Sequence, residues 1–252
     1  TVMDLPRIIV TGASGFIGRH LLDEIKDRYQ IFGLARRSQA QCGAPEHPNI
    51  TWVQADIGEP EPLRAAFRWI NSQGPIETLV HLAAHFDFTG ENSPEYQRTN
   101  IDAMRIVLEN SCDLELERFI FASSVAASEF PEPGQALSED SPANGSHPYA
   151  ASKRVGEEML REYRDAFPSL VVRLGAIFSD WCEYPPLFVF LETWLSTAWN
   201  RNILGGRGRS RTEVASNSFR PLLHLAVDLR GKLFQRRVAP FGVREPSDAA
   251  LL

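Results

Sequence analysis

The sequence predicts an α/β domain on a doubly wound parallel sheet, capped by a small, mostly helical C-terminal unit. Three observations carry this. Apolar, β-branched runs alternate with amphipathic stretches over residues 1–178. A glycine-rich turn joins the first apolar run to the first amphipathic stretch. The alternation then stops, and residues 179–252 carry an aromatic cluster and a Gly/Arg-rich stretch instead.

The strand candidates are residues 7–10, 30–35, 50–55, 77–82, 118–122 and 170–174. Each is a short apolar run bounded by polar or turn residues, as a strand covered on both faces requires. Helical patterns lie between them. Residues 18–28 place Leu21, Leu22 and Ile25 on one face, and residues 62–71 do the same with Leu63, Ala66, Phe67 and Ile70. Residues 94–112 repeat the pattern with Ile101, Met104 and Leu108, and residues 149–167 with Val155, Met159, Leu160 and Tyr163. Strands separated by helices favour right-handed crossovers and a parallel sheet with helices on both faces. The cap region holds Phe178, Trp181, Tyr184, Phe188, Phe190, Trp194 and Trp199, followed by the Gly/Arg stretch at 205–211. Its segments can interleave with the sheet.

Bulk properties narrow the function. A net charge of −6 offers no basic field for nucleic acid. No apolar run reaches the roughly 18 residues of a membrane span. The N-terminus enters a β-like run without the shape of a signal peptide. Cys42, Cys112 and Cys182 are isolated, which fits a reducing, cytoplasmic setting and argues against disulfides. His, Cys and Asp residues lack metal-ligand spacing, so no metal site is expected.

Two motifs carry chemistry. Thr11-Gly12-Ala13-Ser14-Gly15-Phe16-Ile17-Gly18 follows the first strand and opens the first helix. Its glycines permit a tight turn, and the helix start offers free N–H groups to a pyrophosphate. Gly12, Ser14, Gly15, Phe16 and Ile17 are the expected cofactor contacts. The second motif is Tyr149-Ala-Ala-Ser-Lys153. On a helix, this spacing puts phenol and ammonium on one face. The positive neighbour is expected to lower the phenol pKa and let Tyr149 move a proton. With three lysines and five tyrosines in the chain, such a pair arises by chance with odds of roughly 0.06. The Tyr149–Lys153 pair therefore draws its weight from the phosphate loop and from the residues around it.

Together these motifs resemble the extended branch of the short-chain dehydrogenase/reductase superfamily, the NAD(P)-dependent epimerase/dehydratase family with its Rossmann domain. The resemblance spans about residues 7–178. It rests also on Asp56-Ile57, His81-Leu82-Ala83-Ala84, Asn100, Ser123-Ser124, Glu139 and Lys153-Arg-Val-Gly-Glu157. It implies Ser124, Tyr149 and Lys153 as catalytic residues, with Ser123 as runner-up to Ser124. It implies Asp56 and Ile57 at adenine, and Leu82, Ala83, Ala84, Asn100, Ser123, Tyr149, Lys153, Leu174 and Ile177 around the cofactor. It further implies a small-molecule substrate, nucleotide sugars foremost, and a homodimer through the helices at 94–112 and 149–167. The second strand ends in Arg36-Arg37 where an NAD site usually holds an acidic residue. Guanidinium suits a 2′-phosphate, so NADP is the expected cofactor and NAD the alternative.

Several positions depart from the family pattern. Ala176 stands where relatives often hold a phosphate-contacting Asn, and Ser128 where they hold a Tyr. The later His-x-x-Asp pattern is approximated by His224…Asp228 with one residue extra. Val125-Ala126 replaces the acidic pair of dehydratases. Substrate contacts are expected from His85, Ser124 and Ala176. The departures keep open a reductase of a less polar ketone, steroid- or flavonoid-like, and a catalytically silent NADP-binding module.

Overall fold

A computed structural model describes residues 5–87, 90–132, 134–175 and 177. The cap expected at 179–252 and the substrate contact expected at Ala176 lie outside these residues. The elements in order are β1 (Arg7–Thr11), α1 (Phe16–Ile25), β2 (Gln30–Ala35), α2 (Gln39–Cys42), β3 (Ile50–Gln54), α3 (Pro60–Asn71) and β4 (Thr78–His81). After β4 come α4 (Ala103–Ser111), β5 (Arg118–Ser124), α5 (Pro148–Glu162) and β6 (Ser169–Leu174). The six strands form one sheet in the order β3-β2-β1-β4-β5-β6, and every pairing is parallel.

Strand alternation builds the two faces. Ile8, Val10, Ile31, Ile50, Val80 and Ile120 pack with Leu21, Leu22 and Ile25 of α1. The intervening positions Ile9, Phe32, Leu34, Leu79, Phe119 and Phe121 pack with α3, α4 and α5 on the other face. Period two along the strands and period 3.6 along the helices thus meet in two apolar layers. The sheet grows outward from β1 in one direction and from β4 in the other. The crevice between them, where Thr11 pairs in register with His81, is where a doubly wound sheet opens a ligand site at its carboxyl edge.

Differences from the sequence reading are local. The helix expected at 94–112 starts as a wider π-type coil over Tyr96–Asp102 and tightens into α4 at Ala103. The fourth helix of that reading runs from Pro148 to Glu162 and stops short of residue 167. A single helical turn, α2, was not expected. Ser38 accepts from Gln41 N–H while the Gln41 side chain accepts from Ser38 N–H, and Gly43 closes the turn at φ 63°. That capping box stabilises a turn too short to show an apolar period.

Candidate active site and cofactor cleft

The glycine loop is shaped by close approach. Gly12 has φ 70°, and a Cβ there would stand 2.7 Å from the Ala83 backbone nitrogen. A Cβ on Gly18 would collide with the Gly12 carbonyl oxygen and stand 2.8 Å from Ala13 Cα. Ala13 N–H donates to Leu34 O at 3.1 Å and Gly15 N–H to Gly12 O at 2.9 Å, locking the loop against β2. No side chain caps α1 at Gly15. The first N–H groups of the helix, Phe16 and Ile17 among them, are thereby left to face the crevice without an intrahelical acceptor. A backbone cradle that excludes Cβ atoms beneath an uncapped helix start fits a dinucleotide pyrophosphate.

The floor of the crevice is a buried cross-link. Thr11 Oγ1 and His81 Nδ1 are 2.8 Å apart, and Ala83 N–H donates to the same hydroxyl at 3.3 Å. Burial, and then the neighbouring Lys153 charge, push the His81 pKa down to about 3, so this imidazole is neutral. Leu82 and Ala83 are half-buried beside it and Ala84 is exposed.

At the end of β2, Arg36 and Arg37 are both exposed. Arg37 donates to Ser14 O of the glycine loop at 2.5 Å. Asp56 accepts from Gly58 N–H at 2.9 Å and from Arg98 Nη2 at 2.9 Å. Hydrogen bonds and charge from Arg98, with a further contribution from Arg36, hold the Asp56 carboxyl below its ordinary range despite burial acting first in the other direction. Arg98 also reaches Glu59 and Glu95. The sequence reading missed Arg98, which lies far from Asp56 along the chain and reaches it only once the π-type coil is packed against the sheet. Ile57 is buried beside Asp56.

The catalytic candidates converge at the end of β5. Ser124 Oγ accepts from Ala126 N–H at 3.1 Å, and its side chain is near enough to the Tyr149 phenol to favour the charged form. Lys153 is buried, and its Nζ donates to Ala122 O at 2.7 Å. The ammonium stands 5.8 Å from the Tyr149 ring centroid and 5.0 Å from that of Phe121. Phe86 packs edge-on against the phenol ring at 4.6 Å. Leu174 pairs with Ser124 in the β5–β6 register, and Ile177 is half-buried just beyond.

Three expectations are corrected or refined. Tyr149 was expected to have a lowered pKa. Burial instead raises it, outweighing the nearby Ser124 side chain, which lowers it. Ser123, the runner-up to Ser124, is engaged elsewhere: its hydroxyl donates to Glu157 Oε1 at 2.6 Å. Asn100 is buried and serves the protein backbone. Its amide accepts from His85 N–H at 2.6 Å and donates to His85 O at 3.0 Å and to Ser152 Oγ at 2.9 Å. It thereby clamps the loop after β4 to the helix that carries Tyr149. His85 itself lies half-buried on that loop, its ring edge-on to Tyr96 at 5.0 Å.

A model of the NAD dependent epimerase/dehydratase family matches residues 8–211 of the chain. The chain belongs to that family. Its members among the curated relatives include UDP-glucose 4-epimerase of Bacillus subtilis, 26% identical over 71% of this chain and 54% of that protein. Another is a putative UDP-glucose 4-epimerase of Methanocaldococcus jannaschii, 30% identical over 62% of this chain and 50% of that protein. The chain spans about half the length of these relatives. Among solved structures, UDP-glucuronic acid 4-epimerase from Bacillus cereus in complex with NAD superposes with a TM-score of 0.61. Its identity is 22%, covering 75% of this chain and 62% of that one. The Bordetella bronchiseptica enzyme WbmG in complex with NAD gives 0.63 at 18% identity, over 76% and 60%. The match accounts for the six-stranded parallel Rossmann sheet and the glycine cradle at its edge. Among the described residues no helix is long and apolar enough to cross a membrane.

Proposed function

We propose that the chain interconverts an alcohol and a ketone on a nucleotide sugar, as an epimerase or oxidoreductase, with Tyr149 as the acid/base. The observation that carries this is the Lys153 ammonium held beside the Tyr149 ring at the same sheet edge as the glycine cradle, with Ser124 near enough to the phenol to lower its pKa. A nicotinamide held in this cleft would supply or accept the hydride at the substrate carbon. Ser124 holds the substrate oxygen within reach of the phenol. Tyr149, its pKa raised by burial, is neutral at physiological pH and suited to giving its proton to a developing alkoxide. Lys153, its ammonium already donating to Ala122 O, would use its remaining N–H groups to hold the nicotinamide ribose. His85 lines the substrate side of the cleft.

Arg36 and Arg37, exposed at the end of β2 with no carboxylate in the acidic position, favour NADP over the NAD seen with the structural neighbours. Titrating both cofactors tests this, and tighter NAD binding overturns it. A second reading is supported by Phe86, 46% exposed and packed on the phenol. An apolar wall at the reacting group suits a less polar ketone. Homodimerisation is proposed through the helices at 96–111 and 148–162, between which a groove of about 720 Å³ opens, lined by Tyr96, Ile101, Pro148, Ala151 and Val155 among others.

The test is a panel of nucleotide sugars and apolar ketones assayed for product and for NADPH absorbance together. Turnover without net cofactor consumption marks an epimerase, and net consumption marks a reductase. Tyr149→Phe abolishes either while cofactor binding survives. Near-normal turnover in that variant refutes the mechanism.

A further inference from the structure

Glu157 sits one helical turn beyond Lys153 on α5 and is 2% exposed. Its carboxylate is fully engaged. Ser123 Oγ donates to Oε1 at 2.6 Å, Arg173 Nε donates to Oε1 at 2.9 Å and Arg173 Nη2 to Oε2 at 2.8 Å. Arg161 stands further off at 3.8 Å. The same Arg173 ties down the segment after β5, donating to Ser128 Oγ at 3.2 Å and to Ser141 O at 2.6 Å. A buried ion pair of this kind adds little to stability, since apolar groups of equal volume often serve as well. Stability alone therefore does not account for it.

Lys153 supplies the missing half. Its ammonium is buried, and its hydrogen-bond acceptor is the neutral Ala122 carbonyl. Among the described residues no carboxylate forms an ion pair with it. The ionisable groups around it are His81 from β4, Tyr149 and Glu157 from α5, and Arg173 from β6 behind Glu157. His81 is held neutral and Tyr149 is a neutral phenol, so the acting counter-charge is Glu157.

We propose that Glu157 is a positioning residue for the catalytic lysine: fixed by Arg173 and Ser123, its carboxylate keeps the buried Lys153 ammonium charged through the neutral range. Burial brings Lys153 down to about 8, and Glu157 is the group that opposes a further fall. Arg173 and the Ser123 hydroxyl in turn keep Glu157 ionised against its own burial. The consequence for catalysis rests on the reading of Lys153 given above; the electrostatic link does not.

The test uses lysine labelled with ¹³C at Cε. With three lysines in the chain, the Lys153 resonance is assigned by its loss in Lys153→Arg. Glu157→Gln is expected to lower the Lys153 titration midpoint by about one pH unit, and the alkaline limb of cofactor-dependent turnover moves down with it. Ser123→Ala removes a hydrogen bond but no charge and leaves the midpoint in place. Should Glu157→Gln not fold, Glu157→Asp keeps the Arg173 pair while drawing the charge back, lowering the midpoint by a smaller step of about 0.3 units. An unshifted midpoint in the variant that folds overturns the proposal. Because the titration needs no turnover, an inactive wild type would count against the proposed reaction alone.

Discussion

Replacing His81 with asparagine isolates the cost of burying an imidazole at the centre of the cofactor crevice. The His81 pKa falls from 6.5 to about 3 because burial penalises the charged form. The unfolded chain therefore takes up a proton near neutrality that the folded chain refuses. The contribution of His81 to stability is complete above the unfolded value and is lost as pH falls below it. From about pH 7.5 to about pH 5 the loss is about 2 kcal/mol, at 1.4 kcal/mol per unit of differential protonation. Asp56 and Glu157, whose carboxyl pKa values are lowered in the fold, lose their contribution only below the ordinary carboxylate range. Lys153, at about 8, is largely protonated in both states throughout the window. His81→Asn keeps a polar group for Thr11 but cannot titrate. Its absolute stability drops with the lost ring packing on Phe119 and Phe121. The telling quantity is the difference between urea midpoints at the two pH values, converted to free energy. Wild type should lose about 2 kcal/mol more than His81→Asn over this range. Equal losses in the two proteins would show that His81 is charged or solvated in the fold.

Three further substitutions probe the same crevice. Gly12→Ala forces a side chain into a positive-φ position 2.7 Å from the Ala83 nitrogen; a loss of about 3 kcal/mol in denaturant stability and a loss of dinucleotide binding are expected, and unchanged binding refutes the cradle. Asn100→Ala strips three hydrogen bonds from His85 and Ser152, costing about 2–4 kcal/mol and loosening the loop after β4, which faster amide exchange at His85 would report. Gly156→Ala places a Cβ 2.7 Å from Phe121 Cζ, and its overpacking cost of about 1–3 kcal/mol outweighs the helix-propensity gain of about 1 kcal/mol; a more stable variant refutes the close approach.

The parts of this site legible in the sequence are those built from residues near each other along the chain. The turn from β1 into α1 declares its glycines within eight positions. The Tyr149–Lys153 face follows from the helical period. The sheet's strands showed as apolar runs because both faces are covered. What the sequence hid depends on contacts between distant elements. Arg98 meets Asp56 and Arg173 meets Glu157 only after packing, and no spacing announces either pair. The direction of the Tyr149 shift was misjudged for the same reason: proximity to Lys153 was visible, while the depth of burial that raises the phenol was not. The choice between Ser123 and Ser124 did have an available signal. Phe119, Phe121 and Ser123 share the strand face that packs on α5, so alternation alone aims Ser123 into the helix.

That alternation also explains why one helix can serve both structure and chemistry. Along the inner face of α5 lie Tyr149, Lys153, Gly156, Glu157 and Leu160. Gly156 lets the helix axis approach the Phe121 ring, and only at that separation does the Lys153 side chain end at the Ala122 carbonyl. Below it Glu157 meets Ser123, and above it, at the strand's last residue, Ser124 meets Tyr149. Three successive residues of β5 thus face three groups of one helix face, two of them through hydrogen bonds. Sliding the helix along the strand by one residue would break both bonds and carry the phenol away from Ser124. The register that buries Glu157 against Arg173 is therefore the same register that brings the phenol to Ser124. A substitution that loosens the ion pair should appear as a fault at the phenol before it appears as unfolding.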